Sequence, residues 1–259
     1  MNNHQQRTID QFTKQATGFA ESPAIRDEAA LQLVAQFAGL TAEDDLLDVA
    51  CGPGILACAC AKITRRVTGI DITPAMIERA KDLQTRERLD NVTWLVGDVR
   101  SLPFPDNSFT VILSRYAFHH LAEPLDVLRE MKRVCRPSGR IVVIDMAAPV
   151  DPRPAMALNA MERLRDPSHV EALSANRLAE LFAKAGLAPP ETTSYRLEFS
   201  LDVVLGGSFP TGGEKDKDTI RQLFRESLDG DLMGLSPRRK GEQLSYSYPI
   251  AVLKSVKKR

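Results

Sequence analysis

Between Asp44 and Met146, short apolar, β-branched runs alternate with helical patterns, and this alternation constrains the fold more than any other feature of the chain. Apolar runs buried on both faces read as parallel strands, and parallel neighbours need crossover helices between them. Strands are expected at Leu46–Ala50, Arg66–Asp71, Val92–Val96, Phe109–Ser114 and Gly139–Met146. Helices are expected at Ile55–Ile63, Pro74–Glu87 and Glu123–Cys135, the last two opening near a proline suited to a first turn. Amphipathic helical stretches precede this region at Ile9–Phe19 and Ile25–Phe37. Helical patterns follow it at Pro152–Leu164, Asn176–Ala185 and Lys217–Ser227, with strands at Tyr195–Leu201 and Tyr246–Val256 and a glycine-rich loop at Gly206–Gly213. The implied class is α/β, with helices on both faces of the sheet.

At 259 residues and 43% hydrophobic, the chain can bury a large core, and no run approaches the ~18 apolar residues of a membrane span. The polar Met1–Gln6 stretch lacks the apolar run of a signal peptide, and disorder is expected around His4. Lys plus Arg and Asp plus Glu both number 34, so no global field attracts nucleic acid or an anionic membrane. Cys51, Cys58, Cys60 and Cys135 form no C-x-x-C pair and have no histidine at zinc-ligand spacing. They read as small buried residues of a cytoplasmic protein without a structural metal.

The first strand runs into Asp48-Val49-Ala50-Cys51-Gly52-Pro53-Gly54. A glycine-rich turn between strand and helix lets a ligand approach the backbone where a side chain would collide. Asp71 ends the second strand, where a carboxylate can bind both hydroxyls of an adenosine ribose. Gly52 to Ala57 also fits the G-x-G-x-x-G/A dinucleotide pattern, so an NAD-dependent oxidoreductase is an open alternative. Against it, Asp48 would repel a pyrophosphate and suits a ligand carrying an ammonium or sulfonium. Asp98 adds a third carboxylate along the same sheet edge, as an acceptor for an adenine amine. No lysine follows the glycines in P-loop fashion, which argues against ATP.

These residues, with Gly69-Ile70-Asp71, Gly97-Asp98 and Leu102-Pro103-Phe104, resemble the ordered motifs of class I S-adenosylmethionine (SAM)-dependent methyltransferases. The resemblance is to the type 11, ubiquinone/menaquinone-biosynthesis C-methyltransferase-like group. Ser114–Leu121 and Arg133–Gly139 match its later motifs, and Leu164–Val170 resembles a segment of bacterial members. It implies a Rossmann-like, mostly parallel sheet of seven strands in the order 3-2-1-4-5-7-6, the last strand antiparallel. By the same resemblance, 1–40 form an N-terminal helical lid and 41–150 the SAM-binding core. Residues 151–259 form the rest of that domain, with a substrate-cap insertion at about 202–244.

The resemblance also implies site roles. Asp48, Ala50, Cys51, Gly52 and Gly54 would hold the methionine part of SAM, Asp71 the ribose, Ile72 and Met76 its flanks, Asp98 and Val99 the adenine. Ser114 would lie near the methionine amine. Ala50 departs from the group's frequent first glycine, and Ser138 stands where a Pro-Gly-Gly turn is usual. The expected reaction is methyl transfer to the O or C atom of a small-molecule acceptor, leaving S-adenosylhomocysteine, by a monomer or homodimer. A SAM-fold binding protein that does not methylate is the further alternative.

His119 and His120 follow the fourth strand at the ligand edge, where a histidine can take a proton from a hydroxyl or acidic carbon, or merely orient a loop. Tyr116, Arg115 and His169 are candidates for holding the acceptor. Arg115 has the alternative of pairing with Asp145, and His169 that of a solvated loop histidine.

Overall fold

The computed structural model describes residues 3–241 and 243–258. Its first helices are α1 (Asn3–Glu21) and α2 (Glu28–Ala38). The alternating core follows: β1 (Asp45–Val49), α3 (Ile55–Ala61), β2 (Arg66–Asp71), α4 (Pro74–Glu87), β3 (Val92–Val96), β4 (Phe109–Arg115), α5 (Pro124–Val134) and β5 (Cys135–Met146). Beyond it lie α6 (Pro152–Arg165), α7 (Ala175–Lys184), β6 (Glu191–Ser200), α8 (Leu201–Gly206), α9 (Glu214–Glu226), β7 (Arg238–Lys240) and β8 (Gln243–Val256).

One sheet runs β3-β2-β1-β4-β5-β8-β6, which is the expected order with the late strand antiparallel to both neighbours. The sheet holds eight strands rather than seven, because Arg238–Lys240 folds back on β8. Three consecutive basic residues carry no apolar alternation, so this edge strand has no signal in the sequence. Tyr195–Leu201 is corrected as well: β6 begins at Glu191, and Leu201 opens α8 instead of ending a strand.

All five residues of β1 are buried, as expected for a central parallel strand. Side-chain alternation divides its core in two. Leu46, Val111, Leu113, Val142 and Ile144 pack with α2, α3, α6 and α9. Leu47, Val49, Ile112, Ile141 and Val143 pack with α5 and α7. Each fully buried Leu, Ile or Val contributes about 1.5–3 kcal/mol, which makes these two layers the main stabilising term.

The lower end of β1 is fixed by charge. Asp45 receives Arg65 at 2.5 Å and Arg66 at 3.1 Å, and Asp44 pairs with Arg140. The hydrogen bonds from Arg66, then Arg65, hold the Asp45 carboxyl below its ordinary range.

The upper end is set by a close approach. A methyl on Gly69 would sit 2.4 Å from the Trp94 ring, and one on Gly54 2.5 Å from it. Trp94 thus wedges between β2 and the turn before α3, its indole N–H donating to Gln84 Oε1 at 2.7 Å. Gly54 also has φ +77°, in the left-handed region that favours glycine. Gly69→Ala should therefore destabilise the fold by about 1–3 kcal/mol through overpacking. Trp94→Leu in the same chain should recover part of that loss in a denaturant-melt double-mutant cycle. Additive losses would refute the wedge.

Candidate active site

The C-terminal ends of β1, β2 and β4 open into a cleft covered by α1. Asp48, Ala50, Cys51, Gly52, Asp71 and Ile72 line it, as do Met76, Asp98 and Val99. Gly54 is not among its lining residues; it packs under the turn against Trp94 and Ala80. Ser114 is buried on β4 outside the lining, with its Oγ unpartnered among the described residues. Ala50 takes φ +56° in the turn, a conformation an L-residue adopts at a cost of about 1–2 kcal/mol.

The three carboxylates differ in what they have left to offer. Asp71 accepts from the backbone N–H of Gly52 at 2.9 Å and of Thr73 at 2.8 Å, which ties the glycine turn to the start of α4. Burial raises its pKa, and those N–H groups oppose the rise. Asp98 receives Arg100 at 2.7 Å and Gln5 from α1 at 2.7 Å. Burial works to raise the Asp98 pKa, but these donors hold it below the ordinary value.

Asp48 is 1% exposed, and its Oδ2 meets no hydrogen-bond donor among the described residues. Burial lifts its pKa to about 7 against the pull of Arg115, with Asp71 adding to the rise.

Arg115 does not pair with Asp145. Its Nη2 donates to the Ile25 carbonyl at 3.1 Å and its guanidinium lies 4.8 Å from the Tyr116 ring centre. Its Nη1 is buried and has no acceptor among the described residues. The cleft thus holds an unpartnered buried carboxylate oxygen and an unpartnered buried guanidinium N–H, both on its lining residues. Such groups are costly unless a ligand completes them. An α-amino acid, with one ammonium and one carboxylate, supplies both partners. A pyrophosphate would satisfy the arginine but meet the carboxylate with like charge.

A second cavity adjoins the first through Phe12, Phe19, Ile25, Tyr116 and His120. His119 lines only this one, His120 both, and His169 neither. The two neighbours occupy a 3₁₀ turn, Phe118–His120.

Asp145, on β5, takes His119 through two bonds: it receives the backbone N–H at 3.0 Å and Nδ1 at 2.5 Å. Burial works against protonation of His119, but the charge and hydrogen bond of Asp145 outweigh it and hold the pKa above 6.5. His120 donates from Nδ1 to Ser168 Oγ at 3.0 Å; burial and the neighbouring His119 push its pKa down to about 3. The segment after α6 docks here too, with the Val170 N–H donating to the His119 carbonyl at 2.9 Å.

His169 is buried, and its Nε2 meets Asn159 Oδ1 at 2.8 Å. It is neither a solvated loop residue nor part of a cavity wall.

The lining also contains residues that periodicity did not single out. His4, Gln5 and Thr8 belong to α1, and His4 donates from Nε2 to the His120 carbonyl at 2.8 Å instead of being disordered. The helix was underestimated because its inner face is polar: Gln5, Gln11 and Gln15 are buried and donate to Asp98, the Phe209 carbonyl and Asp166. Among the described residues no helix is long and apolar enough to cross a membrane, and no cluster could hold a metal ion.

Comparison with known proteins gives the family. The family described as "Methyltransferase domain" matches residues 47–143. The uncharacterized methyltransferase YcgJ of Bacillus subtilis is 30% identical over 250 residues, covering 95% of this chain and 98% of its own. The crystal structure of YcgJ superposes with a TM-score of 0.80 over 90% of this chain and 99% of that one. The 27-O-demethylrifamycin SV methyltransferase of Amycolatopsis mediterranei is 34% identical over 176 residues, 65% of this chain and 64% of that protein. The oxidoreductase alternative falls with these matches, and the chain belongs to the class I SAM-dependent methyltransferase family.

Proposed function

We propose that the chain methylates a hydroxyl or acidic carbon of a small, largely apolar molecule held in the second cavity, with His119 as the base. SAM supplies an electrophilic methyl group on a sulfonium. Asp48 would receive the ammonium of its amino-acid end and Arg115 the carboxylate, so we reassign Arg115 from the acceptor to the cofactor. Asp71 has lone pairs left for the ribose hydroxyls, and Asp98, with Val99 beside it, faces the adenine end. Ser114 and Gly54 support the turn and strand from behind. α1 would form the lid over both cavities and α8 would close the acceptor side with it, since Phe12 lines both and Val204 the second.

The observation that carries the reading is the Asp145–His119 pair, with His119 on the wall of the second cavity and next in the chain to His120, which lines both. With Nδ1 committed to Asp145, the ring is fixed in orientation and Nε2 remains for a proton from the acceptor. Alignment of acceptor and methyl group can contribute about 7–11 kcal/mol, and the base adds to it only when the acceptor is protonated. The rifamycin-modifying relative has a name consistent with an oxygen acceptor.

Two outcomes follow. Asp48 must be ionised to receive an ammonium, so the affinity for S-adenosylhomocysteine should fall as pH drops below about 7, by up to about ten-fold per pH unit. A carboxylate whose pKa is raised in the fold binds its proton better there, so it costs stability as pH rises from 3.8 towards about 7. Asp48→Asn should therefore abolish the pH dependence of binding while raising the stability of the unliganded protein at pH 8 by about 1–2 kcal/mol. Calorimetric titration and thermal melts at several pH values read both, and a variant that keeps the dependence removes Asp48 from the site.

Turnover on an identified acceptor should rise with pH through an apparent pKa above 6.5, as His119 loses its proton. Asp145→Asn should move that limb to lower pH, and His119→Gln should cost roughly 10²–10⁴ in rate. Equal turnover and an unchanged profile in both variants would leave positioning as the sole source of catalysis.

A further inference from the structure

The second cavity is walled by apolar side chains such as Phe12, Met146, Leu197, Phe199 and Ile250. Most of its polar atoms are already spent within the protein. Tyr116 Oη meets Tyr195 Oη at 2.6 Å, Tyr248 Oη donates to Glu162, and Ser208 Oγ donates to the Val204 carbonyl at 2.7 Å. Gln15 Nε2 donates to Asp166 at 3.0 Å.

Arg165, at the end of α6, is different. Its Nε and Nη2 both donate to Glu162 Oε2, at 3.0 and 2.7 Å, and Glu162 is 0% exposed. Tyr248 donates to the other Glu162 oxygen, so both carboxylate oxygens are engaged and the buried carboxylate is held in place to grip the guanidinium through its two bonds. Its Nη1 has no acceptor among the described residues, and Arg165 lines the cavity. A held N–H at an apolar wall favours a ligand that brings an acceptor atom.

Charge selects the kind of acceptor. Glu162 already neutralises the guanidinium, and Asp166, adjacent in the chain and lining the same wall, adds buried negative charge. A carboxylate entering there meets a surplus of its own sign, whereas a neutral carbonyl oxygen accepts from Nη1 without that repulsion.

We infer that Arg165 is a specificity-determining residue. It receives a carbonyl oxygen of an uncharged, apolar acceptor whose hydroxyl or acidic carbon is presented separately to His119. The inference rests on the assignment of the second cavity to the acceptor.

The test uses the full chain saturated with S-adenosylhomocysteine and three probes: 4-hydroxyacetophenone, 4-ethylphenol and 4-hydroxybenzoate. By calorimetry the ketone should bind about ten-fold or more tightly than the ethyl compound, the size of a hydrogen bond to a charged group, and the carboxylate should bind most weakly. Arg165→Lys keeps a cation for Glu162 but loses the fork, and should bring the ketone-to-ethyl ratio close to one with S-adenosylhomocysteine affinity unchanged. If that variant loses S-adenosylhomocysteine binding, Arg165→Met with Glu162→Gln removes the buried pair together and should give the same ratio.

A wild-type ratio near one, including binding of neither probe, overturns the inference. So does a ratio that survives in the variants, or a preference for 4-hydroxybenzoate. His119→Gln should keep the ratio while losing turnover. A chain with the expected ratio and no transfer to any hydroxyl or carbon acceptor would instead overturn the proposed reaction and leave the Arg165 assignment standing.

Discussion

The buried carboxylate of Asp48 is the interaction on which the rest of this structure turns. Three acids lie within five positions of one central strand, and they are treated in opposite ways. Asp44 and Asp45, at the lower edge, are compensated by Arg140, Arg65 and Arg66, and they pin β1 into the sheet. Asp48, one strand-length away, is equally buried yet leaves an oxygen without a partner. The strand is anchored by satisfied charges at one end so that it can hold an unsatisfied one at the other. Such a group persists only where the surrounding structure fixes it, and functional sites are where that expense recurs.

That requirement explains much of the neighbouring architecture. Asp71 holds the turn by its Gly52 and Thr73 N–H bonds, so the backbone around Asp48 does not collapse onto its free oxygen. The Trp94 wedge leaves no room for a side chain at Gly54 or Gly69 and sets the distance between β2 and α3. Arg115 ends β4 at the cleft, and the chain turns at Tyr116, whose φ of +58° is rare for a bulky residue. The strained residue itself lines both cavities.

The β-strands of the core were legible because a strand buried on both faces must be an apolar run, and its side-chain chemistry announces it. The nucleotide-type site was legible for a related reason: glycines and carboxylates at strand ends have few other uses when they come in that order. What escaped notice involved polar side chains doing buried work. The first turns of α1, before the helix expected from Ile9, are polar, and the buried glutamines of its inner face show their use only once Gln5, Gln11 and Gln15 find their acceptors. The Asp145–His119 bond joins residues 26 apart, from the 3₁₀ turn after β4 to β5, and nothing local in either stretch signals it. Arg115 offered a permanent cation for Asp145, yet its side chain lies against Ile25 and Tyr116. Arg165 and Glu162, three apart on α6, look like an ordinary surface pair; in the fold Glu162 is fully buried and takes a further bond from Tyr248, which no local pattern signals.

The central claim is that Asp48 and Arg115 together form a receptor for the zwitterionic end of the cofactor. Calorimetric titration of the wild-type chain with S-adenosylhomocysteine and with analogues lacking either its α-amino group or its carboxylate tests it most directly. The account predicts that each deletion weakens binding by about ten-fold or more, that Asp48→Asn removes the sensitivity to the amino group alone, and that Arg115→Met removes the sensitivity to the carboxylate alone. Equal affinity for all three ligands in the wild-type chain would contradict it.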